Sequence, residues 1–250
     1  MLIIPDWPAP KRVKAVSTTR KGGVSLAPYD GLNLGLHVGD DTERVQQNRS
    51  LLQRELGLVQ VPAWLNQIHS SKVIDLKQPL TGLIDADGSY SREPDLACVI
   101  MTADCLPVLL CDKDGTQVAA VHAGWRGLAG GIIEAALDKF SVPPNEIMAW
   151  LGPAIGPTAF EVGGEVRQQF MAVDPQAKLA FTPQTKVVDG QSGNDKWLAN
   201  IYLLATQRLQ QYGITQVYGG DHCTVNEPEL FYSYRREPIT GRQASLIWLD

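Results

Sequence analysis

Residues 96–131, LACVIMTADCLPVLLCDKDGTQVAAVHAGWRGLAGG, constrain this chain more than any other stretch. Apolar runs at 97–101, 107–111 and 117–121 are separated by two polar breaks, Thr102-Ala103-Asp104-Cys105 and Asp112-Lys113-Asp114-Gly115, and the last run ends in His122. Short Val/Leu/Ile-rich runs bounded by turn residues predict strands, and Asp-Gly between two of them predicts a hairpin. Centred on Lys113 and Asp114, that hairpin sets Cys105 opposite His122. Centred on Asp114 and Gly115, it slips by one position on each strand. Opposed residues in a hairpin share a face, with Cβ atoms roughly 5 Å apart. A thiol and an imidazole so placed are either two ligands of one metal ion or a nucleophile and its base. Each alone has a plainer reading, as a buried thiol or a hydrogen-bonded core histidine. Together they point to chemistry, because both leave apolar strands at polar breaks, where sites on sheets lie.

A third residue of the same kind precedes them. Residues 63–69 read as a short strand ending in Gln67-Ile68-His69, Ser70-Ser71 as a turn, and 72–76 as a return strand. His69 thus also sits at a strand end beside a turn. The acidic run Asp85-Ala86-Asp87-Gly88-Ser89 reads as a loop.

The rest of the chain supplies a frame. Residues 13–17 form a strand leading into Arg20-Lys21-Gly22-Gly23, a turn where the backbone either approaches a ligand or simply reverses. His37 reads as a turn or core histidine. Asp40 or Asp41 caps a helix over 42–56, with Val45, Asn48, Leu52 and Leu56 on one face and Gly57 as its stop. A helix over 128–140 is entered through Gly124, Gly127, Gly130 and Gly131. Its first N–H groups, with Arg126, suit an anion, or the glycines serve close packing on the sheet. A strand at 147–151, a rigid loop at 152–157, a short helix at 165–173 and an exposed loop at 182–196 follow. Beyond these come a helix at 197–212 and strands at 217–218, 231–236 and 244–249. His222-Cys223 are strand neighbours that face opposite sides and do not readily share one ion. Strands outnumber helices and hairpins mix with crossovers, which predicts an α+β fold, mixed β-sheets covered by helices, in one domain over 1–250.

At 250 residues and 44% hydrophobic content, the chain can bury a large core. A net charge of −5 with no Lys/Arg cluster excludes a nucleic-acid binder. No window approaches the ~18 apolar residues of a membrane span. The N-terminus carries no basic leader, and four cysteines lack disulfide-like spacing, so reduced thiols in a cytoplasmic protein are expected.

Several motifs now converge: Thr19-Arg20-x-Gly22-Gly23-Val24-Ser25, Gln67-x-His69, Thr102-Ala103-Asp104-Cys105-x-Pro107, His122-Ala123-Gly124-Trp125-Arg126-Gly127, Gly152-Pro153-x-Ile155-Gly156 and Phe160-Glu161-Val162. Together they resemble the laccase-domain, or multicopper polyphenol oxidase, family. Its members are described as purine nucleoside phosphorylases and, in a bacterial branch, as peptidoglycan-editing factors. The resemblance spans essentially the whole chain. It implies layers of helices around paired sheets (α/β/β/α) and a zinc held by His69, Cys105 and His122. It also implies phosphorolysis of adenosine, inosine and methylthioadenosine, with adenosine deamination beside it. Two positions depart from the family pattern: Asn200 stands where related bacterial proteins carry Asp, and Ser70 where Gly follows Gln-x-His.

Two imidazoles and one thiolate leave a fourth tetrahedral position open on zinc, as in catalytic sites. Water there has its pKa lowered towards about 7, and attack on purine C6 is deamination. Asp104, beside the thiolate, is a candidate to orient a ring edge or shuttle a proton. Phosphorolysis needs an oxyanion held against ribose C1′. Arg126 with the helix start is the first candidate for it, with Arg20 and Arg235 in reserve and Gln67 as a further substrate contact. The expected partners are a purine nucleoside and phosphate. Multicopper oxidation needs more ligands than four histidines furnish, so copper is expected at most as an adventitious occupant. Two other functions compete: a cysteine- or zinc-dependent amidase editing peptidoglycan precursors, in the cysteine form with Cys105 as nucleophile and His122 as base, and a non-catalytic metal-binding or redox accessory protein.

Overall fold

The computed structural model describes residues 2–184 and 196–250. Two sheets stack face to face. One orders β1 (Leu2–Ile3), β2 (Val13–Thr18), β13 (Gln243–Leu249) and β5 (Cys98–Thr102), all antiparallel. The other orders β12 (Gln216–Gly219), β8 (Ile147–Leu151), β6 (Leu106–Asp112), β7 (Val118–Ala123), β4 (Gly88–Ser91) and β3 (Val73–Asp75). It is parallel only in its outer pairs, β12 with β8 and β3 with β4.

Period-two alternation builds the layers. Leu109 and Cys111 of β6, Val118 and Ala120 of β7, and Met148 and Trp150 of β8 share one core with Cys98 and Ile100 of β5 and Ile247 and Leu249 of β13. The intervening residues, such as Val108, Leu110, Val121 and Ala149, face a second core. That core is closed by α2 (Trp125–Ala129), α3 (Ile132–Leu137), α4 (Gly164–Val173) and α5 (Ile201–Tyr212). On the far side, Leu52 of α1 (Thr42–Glu55) joins Val16, Val99, Met101 and Leu246. The order is therefore helix, sheet, sheet, helix, the expected α+β layering. A third sheet, β10 (Phe181–Pro183), β11 (Lys196–Ala199) and β9 (Glu161–Gly163), stands apart from these two. Among the described residues no helix is long and apolar enough to cross a membrane.

Local chemistry explains where the elements match expectation. Asp41 caps α1 by accepting from the N–H groups of Glu43 and Arg44 at 2.8 and 3.3 Å. Asn48, polar on the buried stripe, donates to Ser25 Oγ and to the carbonyls of Gly31 and Asn33 and accepts from Val24 N–H. It fastens the 24–33 loop to the helix.

The differences have equally local causes. The hairpin is centred on Asp114-Gly115, so His122 pairs with Pro107 rather than with Cys105. Gly115 takes φ +66°, its N–H bonds Asp112 C=O, and the Asp112 carboxylate accepts from Thr116 and Gln117 N–H. Residues 63–69 make only two isolated bridges, because the N–H groups of Ile68, His69 and Ser70 turn to a carboxylate instead of a strand. The acidic 85–89 loop opens β4, with Gly88 paired to Val121. The helix expected over 128–140 starts at Trp125 and is broken in two by Gly131 at φ +88°. Residues 197–199 belong to β11, and Asn200 starts α5 by accepting from Leu203 N–H at 3.0 Å. Asparagine caps a helix as aspartate does, so that departure from the family keeps the helix start. Residues 231–233 are irregular and 234–236 form a turn, in place of the expected strand. Arg236 takes the carbonyls of Thr224, Val225 and Phe231, and Tyr232 N–H goes to Gln243 Oε1. The loop expected over 182–196 lies outside the described residues except at its ends, which are strand.

Candidate metal centre

His122 has the parity of Val118 and Ala120, so it points between the two sheets, at their open end. Cys105 immediately precedes β6, level with Gly124 in the hairpin register. His69 reaches the same mouth from the irregular segment before β3, at φ +60°. The donor atoms of His69, Cys105 and His122 all lie within 4.8 Å of one another. His69 Nε2 is 3.9 Å from Cys105 Sγ, and the two imidazoles meet edge to face with centroids 4.8 Å apart. Tetrahedral zinc with these ligands sets donors about 3.5 Å apart, so the trio fits such an ion with a small inward movement. Gly124 leaves the room: a Cβ there meets Cys105 Sγ at 3.0 Å and His69 Cδ2 at 3.1 Å. Its φ of −60° suits any residue, so Gly124→Ala acts through that contact alone. Gly124→Ala is expected to weaken zinc binding about tenfold in a chelator competition while circular dichroism is unchanged.

A fourth residue holds the trio together, and sequence reading missed it. The fully buried Asp87 carboxylate accepts from Ile68, His69 and Ser70 N–H at 3.2, 2.9 and 2.6 Å, from Ser70 Oγ at 2.8 Å and from His122 Nδ1 at 2.9 Å. It fixes the tautomer of one ligand and the backbone of the other, the usual role of a carboxylate behind a metal-binding histidine. Ser70 adds a hydroxyl bond to that carboxylate that glycine lacks. The signal in the sequence was Asp87-Gly88 just before an alternating run. Burial by itself pushes the Asp87 carboxyl up, but the bonds from His122 and Ser70 bring it down to about 2. Burial likewise raises the Cys105 thiol, yet the imidazoles of His122 and His69 hold it at about 6. Burial depresses His122, and the Cys105 thiolate and Asp87 carboxylate lift it to about 9. Without metal, each of Cys105 and His122 therefore favours the charged form of the other.

Asp104 sits at φ +93° beside Cys105, with its oxygens engaged: Thr224 Oγ1 and Arg235 N–H each donate at 2.6 Å. Its carbonyl accepts from Ile155 N–H at 2.9 Å. In this structure it anchors the turn that carries Cys105. Gln67 binds both backbone groups of Met101 at 2.8 Å, tying the His69 segment to β5.

Two cavities meet at the trio, sharing His69, Ala103, Cys105 and Tyr234. The larger, about 360 Å³, is walled by Trp125, Phe160 and Ile201 and includes Asp104, Arg126, Glu165 and Arg235. Arg126 is exposed and stacks on Trp125 at 4.4 Å. Arg235 binds the carbonyls of Ala159 and Glu161. The smaller, about 190 Å³, is lined by His37, Gln67, Thr102, His122 and Arg242. Arg20 lines neither cavity; it pairs with Asp30 at 3.2 Å and lies over the Tyr232 ring. His222 pairs with Glu227 and Cys223 Sγ accepts from Gly156 N–H, away from the trio. Tyr234 and Arg242 carried no sequence signal, since the turn placing the first had read as strand.

The chain is 54% identical over 248 residues to a protein of Escherichia coli K12 named purine nucleoside phosphorylase YfiH, covering 99% of this chain and 98% of that one. It is 52% identical to a purine nucleoside phosphorylase of Haemophilus influenzae, covering 99% of each. Among solved structures, Neisseria meningitidis protein NMB0706 superposes with a TM-score of 0.92 at 51% identity, covering 100% of this chain and 99% of that one. YlmD of Geobacillus stearothermophilus gives 0.81 at 27% identity, covering 96% and 92%. With residues 14–250 matching its model, this chain belongs to the multi-copper polyphenol oxidoreductase laccase family.

Proposed function

We propose that this chain is a zinc-dependent purine nucleoside phosphorylase acting on adenosine, inosine and methylthioadenosine, with adenosine deamination as a companion activity, in the cytoplasm. The observation that carries the reading is the His69–Cys105–His122 trio, of which His69 and Cys105 line a cavity with aromatic walls and two guanidinium groups. The names of relatives at over half identity and nearly full length support it.

In the reaction a phosphate oxygen forms a bond to ribose C1′ as the C1′–N9 bond breaks. The electron pair goes to N9, the base takes up a proton, and ribose 1-phosphate and free purine result. Trp125 and Phe160 present faces to the flat base, and the Glu165 carboxylate accepts from ribose hydroxyls. Arg126 and Arg235 border the nucleoside and offer donors to its ring edge. Asp104 holds Cys105 in place through Thr224 and the Arg235 backbone. His69, Cys105 and His122 would hold a zinc ion, which would supply Lewis acidity. The family's multicopper description demands more centres: among the described residues the trio is the one group of three clustered His, Cys, Asp or Glu ligands.

The test pairs elemental analysis with product identification on adenosine. Stoichiometric zinc with phosphate-dependent release of adenine and ribose 1-phosphate is expected, along with inosine and ammonia from the companion reaction. Cleavage that ignores phosphate overturns the reading. One observation favours a second function, a cysteine amidase on peptidoglycan precursors: Cys105, His122 and Asp87 stand in nucleophile–base–orienter sequence. Activity that survives chelation and dies on thiol alkylation selects that function; loss on chelation selects the metal.

A further inference from the structure

The smaller cavity differs from the larger in its chemistry. No carboxylate lines it, whereas in the larger one Asp104, Glu161 and Glu165 stand beside Arg126, Arg235 and Lys196. Its volume, about 190 Å³, falls below the usual size of a pocket for a drug-sized ligand. Arg242 reaches it with one guanidinium nitrogen on the carbonyls of Thr240 and Gly241, and among the described residues it makes no ion pair. Arg49, close by, donates to Leu34 C=O and likewise has no carboxylate partner among the described residues. Partial burial and the charges of Arg242, Arg49 and His122 hold His37, at the cavity mouth, below the usual histidine pKa. The cavity thus sets the Arg242 guanidinium against no carboxylate of its own lining, the Cys105 sulfur being the acidic group that shares it.

An independent observation concerns Thr102. Thr102 borders the cavity and is 2% exposed, and its buried hydroxyl has no hydrogen-bond partner. A buried hydroxyl left unpaired is costly, and a ligand oxygen in the cavity removes that cost. Thr102 has the parity of Cys98 and Ile100, which puts it on the inter-sheet face with the trio.

We propose that this cavity is the phosphate subsite, with Arg242 and Thr102 holding the oxyanion and His37 closing its mouth. The proposal rests on the phosphorylase reading and deepens it. The larger cavity's three cations are offset by three carboxylates, whereas the smaller offers a tetrahedral dianion the Arg242 guanidinium and the Thr102 hydroxyl with no carboxylate in its lining. The nucleoside base lies in the larger cavity, so ribose C1′ falls where the two meet, beside Tyr234. Phosphate then approaches C1′ from the side away from the departing base, as a displacement requires. Arg126 and Arg235 are left to the nucleoside.

Thr102→Val keeps the shape and deletes a hydroxyl that bonds nothing in the ligand-free protein, so its fold is safe. Arg242→Lys retains the stem that packs on Gly35 and removes the planar fork. In the zinc-loaded enzyme, Thr102→Val is expected to raise the KM for phosphate about tenfold and Arg242→Lys by more, with the KM for nucleoside changed less than about twofold. Titration of inorganic phosphate alone, followed by calorimetry, is expected to show the same weakening of Kd. Phosphate-dependent turnover with an unchanged phosphate KM in both variants overturns the subsite and leaves the phosphorylase reading intact. Absence of phosphate-dependent cleavage overturns the phosphorylase reading instead. In that case, phosphate binding lost in Arg242→Lys still supports an oxyanion site here, and a wild-type protein that binds no phosphate overturns it.

Discussion

Cys105→Ala is expected to leave the purified protein essentially without zinc and to lower nucleoside cleavage by at least about 100-fold. Outer partners of metal ligands already account for 10–100-fold in metal affinity, and a ligand itself contributes more. The thiolate is also the only anion among the three donors, so two imidazoles remain to bind a dication with no charge compensation. The fold has little to lose. Cys105 is partly exposed at the mouth of the sandwich, and the Asp104 bonds to Thr224 and Arg235 that hold its turn do not involve the thiol. A second readout follows from the metal-free electrostatics. The Cys105 thiolate is the largest influence lifting His122 against its burial, so the imidazole pKa in Cys105→Ala drops below the value of about 9 set in the parent. Elemental analysis, turnover and the His122 titration followed by nuclear magnetic resonance check the three parts. Full zinc content with undiminished turnover removes the metal centre from the mechanism.

Asp87→Asn is expected to cost about 3 kcal/mol of stability and to weaken zinc binding by roughly 10–100-fold. An amide keeps the shape but turns one acceptor oxygen into a donor. Every group facing that carboxylate is itself a donor: Ile68, His69 and Ser70 N–H, Ser70 Oγ and His122 Nδ1. At least one buried donor is then opposed by another, and the His69 segment loosens. The pH dependence has a definite sign. The folded carboxyl titrates at about 2 against 3.8 in the reference state, so its ionised form is favoured by folding. Its contribution, about 2 kcal/mol, is complete above roughly pH 4 and disappears as pH falls through 2. Denaturant midpoints measured between pH 5 and 2 should show this acid limb in the parent and lack it in Asp87→Asn. An identical limb in both proteins assigns it to another carboxyl.

The layers were legible because period-two patterning is a local property. In 97–101, 107–111 and 117–121 each strand announces two buried faces, and residues two apart can only point the same way. Caps were legible for the same reason: Asp41 and Gly57 act on their own helix ends. The register of the central hairpin was not, because two centrings of one turn are close in local energy. The Asp112 carboxylate, reaching Thr116 and Gln117, decides between them. The strands misread at 63–69 and 231–236 failed because their backbone groups are taken by side chains distant in sequence, Asp87 and Gln243 among them.

For the site, the sequence by itself determined which residue types stand at strand ends, and hence the thiol and the two imidazoles. Chemistry of that kind is carried by the residue and needs no neighbour to be recognised. Tertiary structure alone decided the rest. It set Asp87 behind His122, tied Asp104 to Thr224 and the Arg235 backbone and Gln67 to the Met101 backbone, placed Arg20 elsewhere, and brought Arg242 and Thr102, 140 positions apart in the chain, to one cavity. The physical reason is that a buried charge or hydroxyl takes its role from what surrounds it, and those surroundings are fixed only when two sheets close on each other.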